Sequence, residues 1–554
     1  MYARAQSSTL LHLYGNQDSF LRRFASDASV IASILPAFVI LLPMTADNQN
    51  AIAPNASILP IATPAPPDVE MRPIRPQLDI KDKHDEDPYL IAFIHPVDPS
   101  NPQDWPHSRK RVVTDVLSAT GFCRIMVSTI MAPALPTIKA QLHMNSTEAA
   151  MALSIYLLAT AFGPLVIGPL SEIYGRKNIL HACNAWFLVW NFVCGFAGTK
   201  ELLIAARFLA GFGASSIYAL GGGVLGDVWR PEERGRSLRM YSLIQLLGAA
   251  VGPIIGGIIT ARTTWRWMFW STSIFQAVML LVELTTFYET FPPVILRRRA
   301  ARVRRSSGDP QYRTAYERLD GAKSVPAVVS HALTRPLRLL AFNPVIQITS
   351  LIQAWSYGMV YIVLSSFAAL WTAQYGQSIE LSGLHYLATA AGEVAGAQAG
   401  GPLVDLLFRR MRGREPDDAH RRESRVLFTF PGALLVGIGL LVYGWTAQFH
   451  VHWAAVDGAV FVYMFGNQLA SMPMQAYVMD VFPEHTSSAL AASQFLRSLT
   501  AFLFPLFAPA IYRAMGYGWG NMMLALCGLL IGLPAPGIIW VFGERLRRRA
   551  RGSY

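Results

Sequence analysis

Charge is scarce in this chain. Of its 554 residues only 15% are Asp, Glu, Lys or Arg, whereas soluble domains carry about a quarter. An ordinary water-facing globular surface is thereby excluded. Cysteine is scarcer still. Cys123, Cys183, Cys194 and Cys527 all fall in apolar runs and lack metal-ligand spacing, so neither a disulfide framework nor a metal site is expected. A glycine-rich phosphate loop and a paired nucleophile and base are missing too. The chain is therefore not expected to be an enzyme, to use ATP or to carry a cofactor.

Apolar sequence is abundant instead. Hydrophobic residues make up 52% of the chain, and mean hydropathy is +0.32. A formal net charge of +12 raises the question of nucleic acid. The basic residues sit between apolar runs, however, and membrane topology explains them without phosphate contacts. The expected partners are the lipid bilayer, a small-molecule substrate and protons, with no nucleic acid.

Twelve runs are long enough to cross a bilayer, which takes about 20 apolar residues. The first six are Val112–Ile138, Ala149–Ile167, Ile179–Ala197, Leu202–Leu225, Leu238–Thr260 and Trp267–Tyr288. The second six are Val345–Trp371, Leu384–Leu407, Val426–Tyr443, Trp453–Met479, Ser488–Ala510 and Met522–Phe542. Arg and Lys crowd the tail before span 1, the loops after spans 2, 4, 6 and 8, and the C-terminus. The positive-inside rule puts both termini in the cytoplasm and Asn145, the glycosylation candidate in Asn145-Ser146-Thr147, outside. The plan divides into a mostly disordered tail (1–110), a six-helix half (111–290), a central loop (291–343), a second half (344–543) and a basic tail (544–554). Trp105 is placed as an interfacial anchor. The apolar run Val30–Met44 is shorter than a span and holds Pro36 and Pro43. A signal sequence, an interfacial segment and an incorrect start site all fit it.

The organising stretch is Gly168-Pro169-Leu170-Ser171-Glu172-Ile173-Tyr174-Gly175-Arg176-Lys177, a charged hairpin between spans 2 and 3. Gly168 is expected to let helix ends approach closely, and Gly175 to take a positive φ. Glu172 and Arg176 are four apart and are expected to share a helix face and pair. The pattern returns as Gly401-Pro402-Leu403-Val404-Asp405 with Arg409. Asp227-Val228-Trp229 and Asp480-Val481-Phe482 echo each other at a similar offset. Two such echoes point to a duplicated membrane protein.

The first copy resembles the loop signature of the major facilitator superfamily, with Glu172 where most members have Asp. The resemblance implies an all-α membrane protein of about twelve transmembrane helices in two pseudo-symmetric six-helix halves, working as a monomer. It also implies that the hairpin acid and Arg latch cytoplasmic helix ends. In span 5, Gly248, Gly252 and Gly256 form a small-residue stripe beside Pro253 and Gly257, which suits close helix contact. The pattern is similar to the span-5 signature of the family's drug:proton antiporter branch, implying a hinge and a leak-tight seal against the other half. The surroundings of Arg207 resemble the antiporters' span-4 motif, which ties that Arg to proton transfer, with Ala210 in place of the usual polar residue. Tyr288 to Arg298 and Trp265-Arg266-Trp267 resemble fungal multidrug and polyamine exporters.

Embedded charges are costly and mark function or helix pairing. They are Asp115, Arg124, Arg207, Glu283, Glu393 and Arg497. Asp115 and Arg124 fall on opposite faces of one helix. Glu393 is nearest a span centre, where a proton carrier and an acid locking helices both fit, and Arg207 is a permanent cation in the opposite half. A proton-driven exporter of small amphiphilic compounds (drugs, toxins or a fungal metabolite) is expected, in the plasma or vacuolar membrane. Polyamine export is the alternative, opposed by the cationic bias of Arg124, Arg207 and Arg497. A transport-inactive membrane sensor is another.

Overall fold

The structure, a computed structural model, describes residues 88–551 apart from 95–96, 321–324, 413–425, 428 and 483–485. The run Val30–Met44 and the proline-rich tail lie outside the described residues. Helix dominates. The first half comprises α1 (His107–Thr129), α2 (Leu135–Gln141), α3 (Ser146–Tyr174), α4 (Arg176–Gly195), α5 (Lys200–Ala214), α6 (Ser216–Val228), α7 (Pro231–Arg262) and α8 (Arg266–Thr286). Helix starts follow local chemistry. Pro231 opens α7 at a position where its missing N–H costs nothing. Asn145 caps α3: its side chain accepts the Glu148 N–H, and Glu148 accepts the Asn145 N–H, each at 2.8 Å. The sequon Asn thus has a structural task.

The run expected to be one span to Ile138 is broken after Thr129, because Pro133 and Pro136 interrupt the helical hydrogen bonding and α2 restarts beyond the turn. The central segment is more regular than a polar loop. It forms α9 (Pro292–Ser307), α10 (Ala315–Asp320) and α11 (Val325–Phe342). The described tail residues carry regular structure. Strand β1 (Leu90–Ile91) pairs in parallel with β2 (Arg313–Thr314). Asp98 is 2% exposed and accepts the Ile94 and Ser100 N–H groups at 3.0 and 2.9 Å and Arg299 Nη1 at 2.7 Å. Burial opposes its ionisation, but these donors outweigh it and hold the carboxyl down at about 2. Trp105 is buried rather than at the lipid interface: the Arg109 guanidinium lies 3.9 Å from its ring and 4.1 Å from that of Tyr288.

The second half comprises α12 (Pro344–Ala369), ending in a π-helical turn at Leu370–Gln374, then α13 (Ile379–Arg412), α14 (Thr429–Gln448), α15 (Trp453–Val481), α16 (Thr486–Gly532) and α17 (Pro534–Arg551). At Gly516 α16 breaks, with φ +72°, so it supplies two crossings. Among the described residues, eight helical segments are long and apolar enough to span a membrane, one of them Ser488–Arg547. With the Gly516 break and the less apolar α4, α13 and α15, the arrangement is consistent with twelve crossings.

Packing repeats between the halves. In the first, α1 packs on α7, α3 on α5, and α4 on α8. In the second, α12 packs on α16, α13 on α15, and α14 on α16. The halves meet through α7 against α13 and α3 against α16, two contacts that a two-fold axis would exchange. A shared hydrophobic core joins both halves at the arginine-poor end, from Ile130 and Leu135 to Phe367 and Trp371. At the arginine-rich end the cores are separate, one around Val113, Leu225 and Phe287 and the other around Val345, Val478 and Ile539. Among the described residues, a continuous apolar core joins the halves at the first end, and each half keeps its own core at the second.

Candidate functional site

Small residues pack the joined end. A Cβ on Gly248 would lie 2.5 Å from Phe122 O, and one on Gly252 2.5 Å from Thr129 Oγ1 and 2.7 Å from Met126 O; at Gly256 it would strike Ile130 O. All of these belong to α1 or the turn that follows it. The stripe therefore locks α7 to α1 inside the first half instead of sealing against the second. Contact between the halves falls to the next residue round the helix. Gly257 faces Gly383 of α13, its Cβ position 3.2 Å from Gly383 Cα, and a Cβ on Gly383 would lie 3.1 Å from Pro253 O. Arg262 Nε donates to Glu380 Oε1 at 2.5 Å just beyond.

At the arginine-rich end the hairpin adopts a different pairing from the expected one. Arg176 Nε donates to Asp227 Oδ2 at 3.2 Å and Nη1 to Ser171 Oγ at 2.9 Å. Glu172 is exposed and pairs with no cation among the described residues. It points away because α3 ends at Tyr174, so no continuing turn brings it to Arg176. Gly175 does take φ +98°, and its Cβ position is filled by the Glu289 carboxylate, which accepts the N–H groups of Arg176, Thr290 and Phe291. Lys177 lies 5.7 Å from the Tyr288 ring. Gly168 makes no close approach; nothing lies within 4 Å of its Cβ position. In the second copy, Gly401, Asp405 and Arg409 lie on α13 and their side chains are outside the described set.

The embedded charges separate into two groups. Arg207 is 0% exposed and donates to Val127 O (2.9 Å), Leu153 O (3.2 Å) and Ala152 O (3.3 Å). It ties α5 to α1 and α3, and its electrostatic neighbour in the second half is Tyr361 of α12 instead of Glu393. Arg124 is also 0% exposed and donates to Ser216. Glu283 accepts from Thr120 (3.1 Å) and Asn184, with His181 Nδ1 at 3.6 Å. Asp115 is exposed on the opposite face of α1 from Arg124.

The second group is in the second half. Glu393 is half-buried on α13 and accepts from Gln468 Nε2 at 3.1 Å. Arg497, half-buried on α16, lies within electrostatic range of Glu393. Its guanidinium is 4.4 Å from the Tyr357 ring. Tyr357 stacks edge-on with Tyr361 at 5.2 Å, and Trp355 with Phe504 at 5.3 Å. Ser498, one residue on, bonds Thr160 of α3 at 3.0 Å across the halves. Sequence reasoning missed Glu289, Gln468, His385 and Asp457. Glu289 alone carried a signal, as an acid before a Pro-Pro helix start.

These features define a two-fold pseudo-symmetric membrane carrier, joined at one end and charged at its middle. The Major Facilitator Superfamily model matches residues 117–505, and the chain belongs to that family of transporters. A protein of Aspergillus flavus described as "Probable efflux pump mfs2" is 52% identical over 425 residues, covering 77% of this chain and 100% of that one. "Efflux pump vrtL" of Penicillium aethiopicum is 37% identical over 474 residues, covering 85% of this chain and 92% of its own. The proton:xylose symporter XylE superposes with a TM-score of 0.56 at 14% identity, over 79% of this chain and 96% of that one, a likeness of fold.

Proposed function

We propose that the protein exports small amphiphilic organic compounds from the cytoplasm in exchange for protons. The efflux pumps among its relatives support the direction. By the positive-inside rule the arginine-rich face is cytoplasmic, with both termini there and Asn145 outside. The plasma membrane is the proposed location, and a monomer using the proton gradient, without ATP, the proposed unit. Tyr357 and Trp355 offer ring faces, and Arg497 a permanent cation, to a drug, toxin or fungal metabolite.

Glu393 carries the reading. It is a carboxyl partly withdrawn from water, between an amide and a cation, on a helix that packs against the opposite half. Opening one end and closing the other changes its neighbours, and so its hold on a proton. The test is efflux of a fluorescent amphiphilic dye from proteoliposomes carrying an imposed pH gradient. Uphill movement that collapses with a protonophore is expected. Movement indifferent to the gradient would overturn proton exchange.

A further inference from the structure

Near the arginine-poor end of the second half a histidine is held between two oxygens. His385 Nδ1 lies 2.7 Å from Asp457 Oδ2 of α15, and Nε2 lies 2.7 Å from Gln377 Oε1. The π-helical end of α12 sets Trp371 flat on the imidazole, 3.6 Å between centroids and 9° between planes. A neutral imidazole has one N–H and satisfies one of these oxygens unless Gln377 rotates its amide. An imidazolium satisfies both, faces a carboxylate, and lies on the electron-rich face of an indole. Asp457 Oδ1 is buried with no hydrogen-bond partner. Three elements have converged on a ring that the doubly protonated form fits best.

The ring is also close to the seal. Gly383, which packs against Pro253 and Gly257 of α7, is two residues before it on α13. Glu380, paired with Arg262, is on the preceding turn. The other titratable groups around it are accounted for. Tyr375 donates to Val451 O at 2.8 Å and lies 4.7 Å from the Trp371 ring. His450 sits 5.6 Å from Tyr375, and His452 5.3 Å from Trp453. Asp457 is the carboxylate that meets the ring. A proton added here strengthens the link from α13 to α15 and to the loop after α12 in the closed arrangement. Loss of that proton leaves one acceptor without a hydrogen and loosens the mouth.

We propose that His385 and Asp457 form a second proton-binding site, which takes a proton from the arginine-poor side and holds that side's seal shut while occupied. The transport consequence rests on the proton exchange proposed above; the protonation itself does not. In an exporter the order is productive, because a proton loaded from outside would close the outer mouth and send the carrier to its cytoplasm-open form. Glu393 lies eight residues further along the same helix, about 12 Å of rise, so one rigid element carries both sites.

Protonation and transport can be read separately. Purified full-length protein in lipid nanodiscs is titrated from about pH 8 to pH 5, the range in which histidine changes charge. An imidazolium stacked on an indole quenches its emission. A reversible fall in tryptophan fluorescence is expected, lost in His385→Gln and altered in Asp457→Asn. No transition in the parent, or an unchanged one in His385→Gln, overturns the site. In proteoliposomes, His385→Gln should lose most of the stimulation that acid on the arginine-poor side gives the parent, while keeping downhill exchange. Full stimulation in that variant overturns the sealing role. A parent indifferent to the gradient sinks proton-driven export instead, and the titration then decides the site by itself.

Discussion

The two halves share a packing plan but treat buried charge in opposite ways. The first half buries most of its charge: Arg207 rests on three main-chain carbonyls, Arg124 donates to Ser216 while its Nε and Nη2 lack hydrogen-bond partners, and Glu283 lies among Thr120, Asn184 and His181. The second leaves Glu393 and Arg497 half-buried, with one side-chain hydrogen bond and one ring face between them. A fully coordinated charge is rigid and expensive to disturb. A half-coordinated one changes partners cheaply. Duplication thus supplied one half that holds shape and one that carries the movable charge.

If that division is right, the largest effect on folding comes from the enclosed cation. Arg207→Ala removes three charge-assisted hydrogen bonds linking α5 to α1 and α3, and should cost about 3 kcal/mol or more. Low yield and a lowered Tm of purified protein are expected. Arg207→Lys should rescue poorly, because an ammonium lacks the planar fork that reaches both helices. Normal yield and Tm for Arg207→Ala would show the site to be softer than its geometry.

Two glycines give the next contrast. Gly252→Val drives a branched side chain into Thr129 and Met126 O, and should cost about 1–3 kcal/mol and most transport. Gly168→Ala enters open space and should stay within about 0.5 kcal/mol of the parent. Thermal unfolding and dye efflux on the pair check this; equal effects would deny the α1–α7 lock.

The latch should respond through its actual partners. Asp227→Asn weakens the bond to Arg176 in a site where both side chains are about a tenth exposed. Transport should fall several-fold at near-normal expression, with about 1–2 kcal/mol lost. Glu172→Gln should be nearly silent in the same efflux assay. A reversed ranking would restore the pairing that spacing alone suggests.

The smallest effect lies in the tail. Asp98 is held down at about 2 against an ordinary 3.8. A depressed carboxyl adds stability that is complete above its unfolded value and drains away as pH falls through the folded one. Protease protection of residues 88–106 should therefore hold at about pH 5 and weaken as pH drops below about 4 toward 2. Asp98→Asn should loosen the segment at neutral pH. Protection independent of pH and of this substitution would remove Asp98 from the clamp.

Spans, duplication and the family were legible because they rest on hydropathy, arginine placement and short motifs, all of which are local. Gly175 was legible for the same reason: a tight reversal demands its φ. Partners were not. Arg176 meets Asp227 across 51 positions, and the Gly248–Gly256 stripe meets α1 rather than the other half because helix rotation is set by packing. Arg207 is solvated by carbonyls, which every residue carries, so no residue type advertised them. His385 and Asp457 are 72 positions apart on two separate helices, and only the fold joins them.

The claim that movable charge resides in the second half is tested most directly at Glu393. Glu393→Gln keeps the size and the bond to Gln468 but cannot ionise. Parent and variant, matched for amount in proteoliposomes, are compared for downhill dye exchange and for uphill efflux under an imposed pH gradient. Exchange within about two-fold of the parent, with uphill efflux lost, is the expected result, at a stability cost within about 1 kcal/mol. Uphill efflux equal to the parent's would contradict the account, and would move the search for the proton to the enclosed Glu283 of the first half.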